Sequence, residues 1–301
     1  MLADVLADPG RFAEPVGPDV LDGTFTHLES TAREAVAVGG WTEAEPLRLA
    51  KRAVGWLVRC PRRALAADGN GATGLIDERM IGLIVDAAAK LATLGPRRPV
   101  TAASAVAYLA ASGETSVAEH LDAVGTTAAD RLMADASGRV DRLVAGWPSI
   151  EPAWWPRVED PVQVRLADGA VTVAGRLDIA LGGPPTGRPA VVVEVKSGRW
   201  HDDMRADAHL YALLVSLRDG EAPAAVVTIV PDGTTHIEPI RPALVVHAGE
   251  RLELAMRTAA GLAAGEVAEP RPGSYCGHCP VRPQCEPGQS WVAQHDAARE
   301  P

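Results

Sequence analysis

The sequence of 301 residues is poor in cysteine and in lysine, and it has no long apolar run. Four cysteines are too few for a disulfide scaffold, and an apolar content of 47% excludes a disordered or collagen-like chain. No stretch approaches the roughly 18 uninterrupted apolar residues of a membrane span, and Asp4 stands where a signal peptide carries basic residues. We therefore expect a soluble cytoplasmic protein with a substantial hydrophobic core.

Acidic residues outnumber basic ones by 39 to 29, which gives a formal net charge of -10. This balance argues against binding of nucleic acid over the whole surface, but it leaves room for a local basic patch. Residues 46–67 contain six basic residues and no acid: Arg48, Lys51, Arg52, Arg59, Arg62 and Arg63. The near-helical spacing of Arg48, Arg52 and Arg59 predicts a basic stripe, which either contacts phosphates or is an ordinary solvated helix face.

The apolar spacing predicts a helical first half followed by a mixed α/β half. Residues 1–40 are rich in Gly, Pro and Asp and predict a loosely ordered lead-in. Helices are predicted over 41–60 with Thr42 as a cap, and over 76–94, 101–111, 116–124 and 127–145. Strands are predicted over 162–166, 171–181, 191–196, 225–230 and 234–240, with helices over 203–217 and 244–264. This order predicts one α/β core with a helical insertion or cap.

Three charged residues lie on two neighbouring predicted strands. Asp178 ends the run Gly-Arg-Leu-Asp, and Glu194 and Lys196 share one face of the following strand because side chains alternate along a strand. Two nearby carboxylates repel each other unless a divalent cation lies between them, and a neighbouring lysine can orient water. Lys196 is one of only three lysines, at 51, 90 and 196. The pattern favours a metal-dependent site, and the alternative is a salt bridge between Lys196 and Glu194.

Three of the four cysteines, at 276, 279 and 285, form a C-x2-C-x5-C group, and Cys60 is the fourth. Closely spaced thiols in an intracellular protein usually bind metal. Four thiolates fit an iron-sulfur cluster or tetrahedral zinc, and the one-plus-three arrangement favours the cluster. The alternative is zinc with His278 or His295 as the fourth ligand and Cys60 as a plain buried thiol. If Cys60 does join, the cluster closes the domain as a clasp.

The sequence resembles the RecB-type branch of the PD-(D/E)XK nuclease superfamily. The resemblance rests on Asp178, the Glu-x-Lys motif at 194–196, Tyr211 on the next helix and the four cysteines that bracket them. The likeness is strongest to its iron-sulfur members, which include AddB-type repair nucleases and CRISPR-adaptation nucleases. It implies a restriction-endonuclease-like α/β core, a mixed central sheet flanked by helices, with a helical N-terminal half and a C-terminal cysteine clasp. The implied nuclease domain covers 41–285, with a helical part at 41–146, the catalytic core at 161–265 and the cluster segment at 271–285. Residues 286–301 are a tail.

The resemblance also implies roles for individual residues. Asp178 and Glu194 would hold Mg2+ or Mn2+, Lys196 would position the attacking water, and Tyr211 would contact substrate or simply fill the core. Four thiolates would hold a [4Fe-4S] cluster, with Zn2+ as the alternative: Cys60, Cys276, Cys279 and Cys285. The basic stretch at 46–67, rather than the resemblance, predicts that the arginines at 48, 52, 59, 62 and 63 bind DNA.

Two positions depart from the family pattern. Asp86 stands where the family often has a metal-binding histidine, and it is either a third ligand, since a carboxylate suits magnesium, or a solvated helix aspartate. Asp207 stands where the family tends to have glutamine, one helical turn before Tyr211.

The function expected from the sequence is a metal-dependent DNA nuclease, an exonuclease acting on DNA ends or single strands in repair, recombination or defence. A helicase or a CRISPR or repair protein would be its partner, since the sequence has no helicase motif of its own. One alternative is a catalytically inactive DNA-binding or scaffold subunit that retains the cluster. Another is a zinc- or cluster-based regulatory protein in which Glu194 and Lys196 form only a salt bridge.

Overall fold

The computed structural model describes residues 2–12, 14–66, 76–95, 99–196, 200, 202–230 and 234–297. The chain forms two compact units that alternate along the sequence. The first unit consists of residues 1–21, 74–162 and 175–245, and the second of residues 22–73, 163–174 and 246–301.

The first unit contains a mixed sheet. Its strands are β3 (Val171–Gly183, from residue 175 onward), β4 (Arg188–Val195), β5 (Ala225–Ile229) and β6 (Thr235–Pro239). β3 pairs antiparallel with β4, β4 pairs parallel with β5, and β5 pairs antiparallel with β6. β2 (Arg157–Leu166) pairs with β3. The parallel pair is joined by the helix α9 (Asp202–Asp219), as a parallel crossover requires.

One face of this sheet packs against a layer of helices. The layer comprises α5 (Ile76–Thr93), α6 (Ala102–Ala111), α7 (Ser116–Ala123) and α8 (Thr126–Ala145), preceded in the chain by the short α1 (Leu2–Ala7). The buried core joins residues of α5 such as Ile84 to alternate strand residues such as Val191 and Val193. Alternate residues face one side of a strand, so Glu194 is on the opposite side from its two valine neighbours.

The second unit contains α2 (Pro18–Gly39, from residue 22), β1 (Leu47–Ala50), α3 (Lys51–Arg59), α4 (Pro61–Ala64), α10 (Pro242–Ala263, from residue 246) and α11 (Glu286–Ala297). β1 pairs in parallel with the first residues of β3, from Leu47 opposite Val171 to Ala50 opposite Ala174. α2 and α10 approach closely, because a Cβ on Gly249 would lie 2.8 Å from Thr24 Cγ2.

Three sequence predictions differ from the structure. Residues 1–40 were predicted as a loose lead-in but contain the 22-residue helix α2, since the buried Leu28, Ala32 and Ala35 recur at helical spacing. The helix predicted over 41–60 begins only at residue 51, because Leu47 and Leu49 belong to the paired strand β1, and Thr42 accepts a hydrogen bond from the Glu45 N–H in a turn before it. The segment predicted as a tail contains α11.

The predicted fold class is confirmed: a mixed central sheet is flanked by helices. The predicted domain boundaries stay a prediction. Of the described helices, none is both long enough and apolar enough to span a membrane.

Candidate active site and cysteine clasp

Asp178 on β3 and Glu194 on β4 lie next to each other. Ile179 and Val193 are paired on these antiparallel strands. Asp178 precedes Ile179 and Glu194 follows Val193, so the two acidic residues are opposite each other, and opposite side chains on such strands are close together. The Val195 N–H donates a hydrogen bond of 2.8 Å to Asp178 Oδ2. Glu194 is fully buried, with 0% of its surface exposed. The two predicted metal ligands therefore share one buried place in the sheet of the first unit.

Asp86 on α5 joins them as a third carboxylate. Its charge acts on both Asp178 and Glu194, which places the three groups in one electrostatic cluster. The Oδ1 atom of Asp86 is buried and has no hydrogen-bond partner in the part of the chain that the structure describes. The interpretation of Asp86 as a solvated helix residue is therefore disfavoured.

Burial and mutual repulsion shift the acidity of this cluster. Burial, together with the charges of Glu194 and Asp86, raises the pKa of Asp178 from 3.8 to about 7, against the opposing effects of Lys196 and the Val195 N–H. Burial also raises the pKa of Asp86, while Lys90 opposes the shift. Asp178 and Asp86, whose pKa values are raised, together with Glu194 form a donor set that a divalent cation would stabilise.

Two lysines compensate the carboxylates. Lys196 follows β4, its N–H donates to the Ile229 carbonyl at 2.9 Å, and its Nζ lies 2.5 Å from Glu194 Oε2. Lys90 is one turn after Asp86 on α5 and is only 5% exposed, with ion pairs to Asp86 and Glu159. Burial acts to lower the pKa of Lys90, but the two carboxylates outweigh it and the net shift is upward.

The roles of Lys90, Glu159 and Arg176 were not predicted from the sequence. Glu159 lies on β2 at a φ of 54°, a left-handed conformation that costs energy for a residue other than glycine and is often found at functional sites. It pairs with Lys90 and with the exposed Arg176. A cavity of about 430 Å3 is lined by Glu159, Lys90, Arg176 and, of the three carboxylates, by Asp86. Two features of the sequence could have indicated the role of Lys90: lysine is scarce, and positions 86 and 90 are four residues apart, which is one helical turn.

Tyr211 on α9 is buried against β3. Its hydroxyl donates a hydrogen bond of 2.9 Å to the Arg176 carbonyl, and burial raises its pKa. A Cβ on Gly175 would lie 2.4 Å from Tyr211 Cε1, so glycine is required for this close approach. The placement favours a supporting role for Tyr211 over direct contact with substrate. Asp207 lies one turn earlier on the same helix.

The four cysteines come together in the second unit and line one small cavity. None forms a disulfide, and the thiols of Cys60, Cys276 and Cys285 are buried. Burial and the three neighbouring thiols raise the pKa of Cys276. A Cβ on Gly288 would lie 3.4 Å from Cys285 Sγ and 3.5 Å from Cys276 Sγ, so this glycine leaves space for the sulfurs.

Side chains also join the two sequence segments that carry these cysteines. Tyr275 OH donates to the Arg59 carbonyl at 3.0 Å, Arg271 donates to the Val58 carbonyl at 2.7 Å, and Arg62 donates to the Gln284 carbonyl at 2.7 Å. Each bond links residues more than 200 positions apart in sequence. We call this arrangement, with the four cysteines, the cysteine clasp.

The five predicted DNA-binding arginines all belong to the second unit but differ in exposure. Arg48 and Arg52 are exposed, whereas Arg63 is only 5% exposed. Arg59 lies 4.2 Å above the Trp56 ring, and Arg62 is engaged in the clasp. Arg48 and Arg52 therefore offer the most surface to a phosphate.

Within the described ranges, no three His, Cys, Asp or Glu side chains are arranged so that they could hold a metal ion as they stand. The ammonium groups of Lys90 and Lys196 neutralise the carboxylates instead. Binding of a cation would therefore require these ion pairs to rearrange.

Comparison with known proteins points to one family. The sequence pattern of the PD-(D/E)XK nuclease superfamily matches residues 53–286. No curated protein matches the chain significantly. Among solved structures, the chain is similar to the crystal structure of SSO0001, with 15% identity and a TM-score of 0.35 over 87% of this chain and 94% of that one. A TM-score this low does not establish a shared fold.

Proposed function

Because the chain belongs to the PD-(D/E)XK nuclease superfamily, whose members typically use Mg2+ or Mn2+, we propose that it is a metal-dependent nuclease that hydrolyses phosphodiester bonds in DNA. One observation carries the proposal: Asp86, Asp178 and the fully buried Glu194 have carboxylates that interact electrostatically, with Lys196 against Glu194. Asp178, Glu194 and Lys196 correspond to the two acids and the lysine of the family motif, whereas Asp86 replaces its histidine, and a decayed site would have no reason to retain mutually repelling acids.

The residues present fit a divalent cation. Oxygen donors are what Mg2+ and Mn2+ prefer, and the Oδ1 atom of Asp86 has no hydrogen-bond partner among the described residues. Asp178 and Glu194, with Asp86, would hold the ion. When bound, such an ion supplies Lewis-acid stabilisation of the charge that develops on the phosphate.

Lys196 orients the attacking water, and Lys90 holds the proposed metal ligand Asp86 in place. The Lys196 ammonium donates to Glu194 at 2.5 Å and retains further N–H groups, with which it orients the attacking water. Lys90 holds the Asp86 carboxylate on the side of the 430 Å3 cavity, through which the phosphate approaches. Tyr211 supports β3 beside Asp178 through its bond to the Arg176 carbonyl.

The substrate that best fits these features is single-stranded DNA or a DNA end. The exposed Arg48 and Arg52 supply phosphate contacts on a protein whose net charge of -10 disfavours wider binding. We expect exonuclease activity in repair, recombination or defence, with a separate helicase or a CRISPR or repair protein as partner.

We also propose that the clasp holds a [4Fe-4S] cluster. Four buried or half-buried thiols line one cavity, Gly288 leaves space beside two of them, and the Gly273 N–H donates to Cys276 Sγ at 3.4 Å. Cys276, Cys279 and Cys285 with Cys60 complete a four-thiolate set. The cluster would join two segments that are far apart in the sequence and that are also connected by side-chain hydrogen bonds and the contact of Trp56 with Tyr275, so its role is structural.

A second candidate function is a nuclease-like DNA-binding subunit without activity. It is favoured by the absence, among the described side chains, of three donors arranged to hold a metal ion. The same experiment separates the two functions.

The experiment is cleavage of single-stranded and duplex DNA with Mg2+ or Mn2+, compared between wild type and Lys196→Ala. We expect metal-dependent cleavage that is lost in Lys196→Ala and retained in Lys51→Ala, which removes a lysine outside the carboxylate cluster. Wild-type protein that binds DNA but does not cleave it with either metal would support the inactive subunit.

The cluster is tested by anaerobic purification and assay of iron and sulfide. We expect brown protein that contains iron and sulfide, and Cys60→Ser should reduce cluster content and thermal stability together. Stoichiometric zinc without iron would contradict the cluster, and an unchanged cluster in Cys60→Ser would show that the fourth ligand is a different residue.

A further inference from the structure

The second unit contains a cavity of about 730 Å3 that includes none of the proposed catalytic residues or cysteines. We call it the β1 cavity, because all four residues of β1 line it, from Leu47 to Ala50. Its remaining walls come from α3 and the segment after it, from Trp41, and from the end of α10. Its volume lies in the range of small-molecule sites, about 300–1,000 Å3.

The charged residues that line the β1 cavity are all basic. Arg48, Arg52 and Arg63 line it, and no acid does so among the described residues. Arg63 is only 5% exposed, with its guanidinium 4.9 Å from the centre of the Trp56 ring and bonded to the Ala66 carbonyl at 3.4 Å. A buried arginine beside an apolar cavity favours an anionic occupant.

The aromatic residues of the cavity suit a flat occupant. Trp56 and Trp41 both line the cavity. Trp41 lies over Gly39, where a Cβ would be only 2.4 Å from the indole ring. The rest of the lining is aliphatic, and it includes Leu65, which is 64% exposed.

We propose that the β1 cavity accepts one unpaired nucleotide of single-stranded DNA. The base enters the apolar part beside Trp41 and Trp56, while its phosphates contact Arg48 and Arg52 at the exposed rim. Every base has a face that stacks on aromatic side chains, so this site selects unpaired over paired DNA without selecting sequence. The inference rests on the proposed function, to which it adds the recognition of a flipped or terminal base.

A protein strand is the competing occupant, because β1 is an edge strand that pairs with β3 on one side. The three arginines favour the nucleotide because its phosphates are anions, whereas a peptide strand would pair with the backbone of β1 and bring no such charge.

The test measures binding without cleavage. The Lys196→Ala protein is titrated with end-labelled single-stranded oligonucleotides in which a single abasic site is moved from one end to the other. We expect one position, at a fixed distance from the DNA end, at which the abasic site weakens binding about tenfold, as loss of one base–aromatic stack would. A fully paired duplex should bind more weakly than the single strand.

Two matched variants in the Lys196→Ala background link this effect to the cavity. Leu65→Glu places a negative charge at the cavity wall, on a side chain that is 64% exposed, and should weaken binding about tenfold and abolish the position effect. Val267→Glu adds the same charge at a position that is 85% exposed and does not line the cavity, and it should bind like the parent protein.

Equal affinity at every abasic position, with Leu65→Glu binding as tightly as Val267→Glu, would overturn the proposal, as would an absence of DNA binding. The titration needs no cleavage, so a position effect without DNA cleavage would support the base site and contradict the proposed nuclease activity. Cleavage without a position effect would refute the base site alone.

Discussion

The buried carboxylate of Asp178 should make the metal-free protein less stable at alkaline pH. Its pKa of about 7 in the folded state lies above 3.8, so the folded protein binds the proton more tightly than the unfolded chain. The contribution of this group to stability is therefore fully present below about pH 4 and is lost as the pH rises through about 7. The gap corresponds, at about 1.4 kcal/mol for each unit, to at most about 4 kcal/mol.

Asp178→Asn isolates this contribution. The amide oxygen can still accept the hydrogen bond from the Val195 N–H, but the side chain never ionises. In urea titrations with EDTA, we expect the variant to gain free energy of unfolding relative to wild type between pH 4 and pH 8, by as much as about 4 kcal/mol. Asp122→Asn, on an exposed residue of α7, is the control and should show no such gain.

Added Mn2+ should reverse the difference, because a cation stabilises the ionised carboxylates of wild type and not the amide. A stability difference between Asp178→Asn and wild type that stays constant from pH 4 to pH 8 would refute the reasoning. Mn2+ that stabilises both proteins equally would show that Asp178 is not a ligand.

Two further predictions concern packing and charge around the same site. Gly175→Ala should lower the free energy of unfolding by about 1–3 kcal/mol, because the new Cβ would lie 2.4 Å from Tyr211. Gly23→Ala is the control: Gly23 lies on α2 with open space around it, so this change should raise the free energy of unfolding by about 0.5–1 kcal/mol. Equal effects of the two changes in urea titrations would contradict the close approach of Gly175 and Tyr211. Lys90→Met should cost about 3–5 kcal/mol because it leaves Asp86 uncompensated and Glu159 paired with Arg176 alone. Adding Asp86→Asn should restore part of that loss, whereas strictly additive effects in thermal and urea unfolding would argue against the ion pair.

Much of the first unit could be predicted from the sequence because its signals are local. The helix α5 ends at Thr93, within one residue of the predicted end and shortly before Gly95, which has a φ of 67°, and Thr101 is the N-cap of α6 in a capping box. The β-branched run before Glu194 forms a buried strand, as predicted. Pairing of this strand with β3 is enough to place Asp178 beside Glu194.

The features that the sequence did not predict depend on contacts between distant segments. β1 has four residues, and its strand conformation depends on pairing with residues 171–174, so local spacing suggested a continuation of α3. Arg59 and Arg62 were predicted as phosphate contacts, but Arg62 is bonded to the Gln284 carbonyl and Arg59 lies over Trp56. Contacts of this kind with distant carbonyls or with ring faces cannot be predicted from the spacing of residues in the sequence.

The use of lysine, rather than the net charge, distinguishes the candidate active site from the rest of the molecule. In a chain with 29 basic residues, two of the three lysines contact its carboxylates, Lys90 at Asp86 and Lys196 at Glu194. Arginine would bind a carboxylate through two parallel hydrogen bonds and occupy both oxygens, whereas the compact ammonium of lysine contacts one oxygen of each. Lysine at these two positions therefore compensates the acids through a single contact each, and a cation has fewer bonds to displace. Replacement of Lys90 by arginine should accordingly keep the protein folded but weaken Mn2+ binding, as measured by the metal-dependent rise in melting temperature.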